Sequence, residues 1–125
     1  MRHVILSCIL ALQLCALTAD VEIIGRDGVE NIGKEVSRLS EQYPLKRPVV
    51  ILVDHVDGFY LRRTAESVAF IYVDGSLPKD RQIVVVRHEW QHAIDDELGI
   101  HDWRVTEARA KRAEDGKLDT TKPKE

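Results

Sequence analysis

Between Val29 and Leu39 the apolar positions Val29, Ile32, Val36 and Leu39 recur at spacings of three and four. That period predicts an amphipathic helix, which Tyr43-Pro44 terminates. Before it, Val21 to Ile24 predicts a short strand and Gly25-Arg26-Asp27-Gly28 a turn. After it, the β-branched run Val49 to Val53 predicts a buried strand. Asp57-Gly58 predicts a hairpin turn into a returning strand at Phe59, Tyr60 and Leu61, and a further strand spans Val68 to Val73. Ser76 to Lys79 forms a loop, with Asp80 as the N-cap of a helix from about Arg81 to Leu98 that stops at Gly99. Ile83 to Val86 favours strand locally, yet Trp90, Ile94 and Leu98 continue a helical stripe, and burial can override propensity. A last helix covers about Arg104 to Glu114. The order is helix, antiparallel meander, helix, helix. It implies an α+β domain with an N-terminal helix and a three- to four-stranded, mainly antiparallel sheet.

The chain has 125 residues, enough for one compact domain. Residues 1–19 have the build of a secretory signal peptide: basic Arg2 and His3, an apolar run from Val4 to Leu17, and small residues before Asp20. Export to the periplasm or the extracellular space is therefore expected, with 20–116 as the domain and 117–125 as a disordered tail. Beyond Gly116 almost nothing in the tail can be buried. Cys8 and Cys15 both lie within the leader, so the mature chain has no disulfide and no thiolate ligand. Leu14 before Cys15 is too large for a lipid-attachment site, which argues against anchoring there, and no apolar stretch after the leader can span a membrane. The formal charge of −3 and the absence of a basic stripe exclude nucleic acid as the expected partner.

Within the long helix stands His88-Glu89-Trp90-Gln91-His92. Residues four apart project from one helix face, so His88 and His92 can present two imidazole nitrogens to one ion. Glu89 is rotated by about 100°. There it can reach a metal-bound water without ligating the metal, and a carboxylate in that place can take up a proton and later deliver it to a leaving amine. Trp90 points to the opposite side, towards a core. A catalytic zinc site needs a third protein ligand and an open position. Glu107, on the next helix past a short connection, is the expected ligand. His101 in that connection is the alternative, as ligand or as stabiliser of an oxyanion. Asp95 and Asp96 are expected as acceptors behind the histidines or as caps.

The paired histidines, Glu89, and Glu107 in an Ala- and Arg-rich helix resemble the gluzincin zinc peptidases, in particular their minimal single-domain members. The stretch from His92 to Ile100 is similar to the segment that follows the paired histidines in thermolysin-type enzymes. The resemblance covers about Val68 to Asp115. It implies a zincin-like domain, a bound Zn²⁺ and hydrolysis of a peptide or protein substrate. One position departs from the family pattern: thermolysin-type enzymes place an Asp four residues after the ligand glutamate to buttress a histidine, and here that position is Lys111. No C-terminal subdomain supplies an oxyanion-stabilising Tyr or His, a task left to His101, Arg104 or Tyr72.

The expected function is thus an exported zinc peptidase, with an extended peptide held by strand addition at Val68 to Val73. The alternative is a non-catalytic, zinc-stabilised binding module of the same fold. The short chain, with little left to wall a cleft, favours that alternative somewhat.

Overall fold

The computed structural model describes residues 20–54 and 68–124. The elements follow as β1 (Val21–Ile24), α1 (Gly28–Gln42), β2 (Val49–Val53), β3 (Ala69–Val73), α2 (Lys79–Glu97) and α3 (Trp103–Ala113). The result is an α+β domain of three helices and a small three-stranded sheet in the order β1-β2-β3. The expected leader at 1–19 and the expected hairpin and returning strand at 57–61 lie outside the described residues.

The three described strands are parallel, which corrects the antiparallel expectation. Val21 pairs with Val49 and Ile24 with Leu52 in one register, and Val49 with Ala69 and Val53 with Val73 in the other. The physical reason lies in the connections. A parallel pair cannot be joined by a tight turn and needs a crossover, which α1 supplies between β1 and β2. The alternating burial of β3, with Ala69, Ile71 and Val73 inward, would look the same in either direction.

Helix α1 lies over β1, α2 lies over β3, and the two helices pack against each other; α3 then packs on α2. The inward residues Val49, Ile51 and Val53 of β2 meet Ile32, Val36 and Leu39 of α1 and Val86, Trp90 and Ile94 of α2 in one core. Trp90 is completely buried, and its indole N–H donates to the Tyr43 carbonyl at 3.2 Å. Removing so large a buried side chain costs about 3–5 kcal/mol. Its place on the core side of α2 leaves the histidines, two residues to either side, on the outer side.

Both ends of α2 differ slightly from expectation. The helix starts at Lys79, with Pro78 at the cap position and no side-chain cap, so Asp80 lies in the first turn instead of capping it. It stops at Gly99 as expected. There φ is +76°, the Gly99 N–H donates to the Asp96 carbonyl at 3.1 Å, and the Ile100 N–H donates to the Asp95 carbonyl at 2.9 Å. Glycine takes this left-handed turn without a Cβ penalty, and the paired bonds satisfy the last carbonyls of the helix. Asp102 then caps α3, accepting from the Arg104 N–H at 2.9 Å.

The start of the tail packs on the domain. Leu118 is 8% exposed and joins the core, and Asp119 is hydrogen-bonded to Gln91. Leu118 and the bonds of Asp119 to Gln91 and Arg109 hold the start of a segment whose composition alone reads as unable to fold. Among the described residues, no helix is long and apolar enough to cross a membrane.

Candidate metal centre

Helices α2 and α3 form an antiparallel pair, since His88 meets Glu114 while His92, one turn later, meets Glu107. On α2 the apolar stripe of Val86, Trp90 and Ile94 turns His88 and His92 away from the core and beneath α3. On α3 the buried residues Thr106, Arg109, Ala110 and Ala113 face α2. Glu107 and Glu114 flank that stripe and project over the histidines.

The structure brings His88, His92 and Glu107 together. One ligating atom from each lies within 4.8 Å of the other two, and among the described residues this is the group of histidines and carboxylates able to hold a metal ion. Nε2 of His88 is 3.3 Å from Oε1 of Glu107, and Nε2 of His92 is 3.1 Å from Oε2 of the same carboxylate. The two rings stand edge to face with centroids 4.9 Å apart. All three side chains are partly exposed, so the group is reachable from solvent.

Glu114 completes the arrangement. Its Oε2 lies 2.8 Å from Nδ1 of His88. A carboxylate accepts hydrogen bonds, so Nδ1 is the donor, and in the neutral ring Nε2 is left with its lone pair towards Glu107. A lone pair and a carboxylate repel each other unless a proton or a metal cation lies between them. This carboxylate–histidine arrangement is the one that orients metal-bound imidazoles and raises their basicity. The donor chemistry, two imidazoles and one carboxylate, suits a borderline cation such as zinc.

Sequence reasoning did not single out Glu114. The buttress was sought four residues after Glu107, where Lys111 stands, whereas it is supplied seven residues on. The signal was present, because seven residues make about two helical turns and return to the same face. Lys111 instead approaches the other oxygen of Glu114 at 4.0 Å.

The remaining candidates sort clearly. His101 is exposed and does not belong to the metal-capable group, as is Arg104. Asp95 does not back the histidines: completely buried, it accepts from Arg109 Nε at 2.9 Å and from the Gln91 amide at 2.9 Å. Asp96 pairs with Arg47 at 3.0 Å on the surface, a contact worth under about 1 kcal/mol. Glu89 is half-buried on α2 and does not belong to the metal-capable group. Trp103, at the start of α3, is 67% exposed and lies nearly parallel to the His92 ring, with centroids 6.4 Å apart and planes 8° apart.

No known protein family, curated protein or solved structure was found to match the chain. The chain is an α+β domain bearing a His/His/Glu group that could bind a metal ion.

Proposed function

We propose that this protein is an exported, zinc-dependent peptidase of the gluzincin type. The observation that carries the proposal is the convergence of His88, His92 and Glu107 within 4.8 Å, drawn from two helices, with Glu114 holding the far nitrogen of His88. His88, His92 and Glu107 would hold the ion. A bound Zn²⁺ supplies a water of near-neutral pKa and polarises a substrate carbonyl. Glu89, one residue from His88 on α2, would serve as the general base, accepting a proton and returning it to the leaving amine. Glu107 and Glu114 keep both imidazoles turned to the same point, and Trp103 screens one face of His92. The leader at 1–19 supports export.

A non-catalytic zinc-stabilised module is the second reading. It is favoured by one observation: the Glu107 carboxylate spans both imidazoles and so ties α3 to α2 directly. The experiment that separates the two loads the purified chain and its Glu89→Gln variant with Zn²⁺ and exposes both to a peptide library. The expected result is equal zinc content and a loss of cleavage of about a hundredfold or more in the variant. Zinc retained by both with cleavage by neither establishes the module instead.

A further inference from the structure

The segment that follows α3 turns back to the α2–α3 interface and is bonded to both helices. Gln91, between Trp90 and His92, is completely buried. Its amide nitrogen donates to the Asp119 carbonyl at 2.8 Å, and its Oε1 accepts from the Asp119 N–H at 2.8 Å. Arg109 of α3 is 2% exposed. It donates from Nη2 to the same Asp119 carbonyl at 3.2 Å and pairs through Nη1 with the Asp119 carboxylate at 2.9 Å. One residue outside both helices thus engages a buried side chain of each, using its N–H, its carbonyl and its carboxylate. Leu118, buried in the core beside it, holds the segment in place.

The location of these bonds gives them their consequence. Gln91 immediately precedes His92, and Arg109 lies two residues after Glu107. The surface of α3 that meets α2 is built largely of small side chains, with Ala110 and Ala113 completely buried. Alanines allow close approach, but they interdigitate little and resist sliding or rotation poorly. The outer row of the interface, His88 and His92 against Glu107 and Glu114, consists of partly exposed groups. The inner row of buried Gln91, Asp95 and Arg109, joined from the partly exposed side by Asp119, is where directional bonds can set the register of one helix on the other.

We infer that Asp119 is a positioning residue of the metal centre: by fastening Gln91 of α2 to Arg109 of α3, it sets the distance between the histidine pair and Glu107. The inference rests on the metal-binding part of the proposed function and is independent of peptidase activity. It makes the segment after α3 part of the frame of the site.

The test uses the full chain, freed of metal and titrated with Zn²⁺ against a chromophoric chelator. Asp119→Ala keeps the backbone bonds to Gln91 and Arg109 and the Arg109–Asp95 pair, so the helices stay joined; it removes only the carboxylate held by Nη1 and should weaken zinc binding by about three- to tenfold. Asp119→Asn restores an acceptor for Nη1 and should recover most of that loss. Gln91→Ala removes both bonds to the Asp119 backbone and should lose at least as much as Asp119→Ala. In a Glu107→Ala background, Asp119→Ala should cause no further loss, because the ligand it positions is gone. Unchanged affinity in both Asp119→Ala and Gln91→Ala, or the same loss with and without Glu107, overturns the inference while leaving the metal site standing. Failure of the unaltered chain to bind zinc overturns the metal site and this inference together.

Discussion

Nδ1 of His88 lies 2.8 Å from Oε2 of Glu114, and Nε2 of the same ring faces Oε1 of Glu107 at 3.3 Å. One imidazole is thus held between two carboxylates of a single helix that stand seven residues apart. The first fixes which nitrogen carries the proton, and the second shares with the other nitrogen the place a cation would occupy. A histidine so held has a restricted orientation, and that orientation is one from which it could bind a metal ion.

Glu114 should therefore matter to metal affinity although it is not among the ligands. Glu114→Ala frees the His88 ring to rotate and to exchange tautomers, and zinc affinity should fall about 10- to 100-fold. Lys111→Ala, which removes only an exposed cation 4.0 Å from Glu114, should change it far less. Competition titration of the two variants measures both, and equal affinities for Glu114→Ala and the unaltered chain would show that the contact does not orient a ligand.

Glu107 and His101 make opposite predictions. Glu107→Ala should abolish tight zinc binding and, with it, the stabilisation that zinc gives, so its melting temperature should no longer respond to a chelator. His101→Ala removes an exposed ring outside the group, so zinc content and the chelator response should match those of the unaltered chain. Elemental analysis and thermal melting with and without excess chelator decide the matter. Loss of zinc from His101→Ala alone would name the other ligand.

Trp103 offers an optical report on the site. Of the two indoles, Trp90 is completely buried on the core side of α2, whereas Trp103 is 67% exposed and lies 6.4 Å from the His92 ring. Binding of the paramagnetic probe Co²⁺ should quench mainly the red, solvent-exposed part of the emission. In Trp103→Phe most of that response should vanish while metal affinity persists. A full response in the variant would place the ion nearer Trp90 than Trp103.

Glu35 predicts a component of acid sensitivity remote from the site. Its carboxylate, on α1, accepts hydrogen bonds from Arg38 and from Arg87 of α2, the latter at 2.8 Å. Burial pushes this carboxyl up, but the bonds and charges of the two guanidinium groups outweigh burial and hold it below the ordinary range. A depressed folded-state value stabilises the fold above the unfolded value, about 4.3 for glutamate, and that stabilisation is lost as pH falls through the lower folded value. The unaltered chain should therefore melt higher than Glu35→Gln at pH 6–7, and the difference should shrink to nothing in acid. A gap that widens as the pH falls would reverse the sign of the argument.

The elements and the chemistry of the site were legible along the chain because both are encoded locally. Helix α1 ends at Gln42, against the predicted stop at Tyr43-Pro44, and α2 stops at Gly99, where a positive φ is required. His88, His92 and Glu107 come together because spacings of four and a short interhelical connection are properties of neighbouring residues. One further cue went unused. The unbroken apolar run Val49 to Val53 behind a strand–helix pair is the pattern of a parallel, doubly covered strand.

What the sequence by itself determined is therefore the identity of the described helices and strands, the face of α2 that carries the histidines, and the two candidates for a third ligand, Glu107 and His101. The tertiary structure alone decided the direction of the strands, the choice of Glu114 over a residue at position 111, the exclusion of His101, and the anchoring of Asp119. The physical reason is common to all four. Each depends on which distant segment reaches a given surface first and satisfies its polar groups there, and no period along the chain records that outcome.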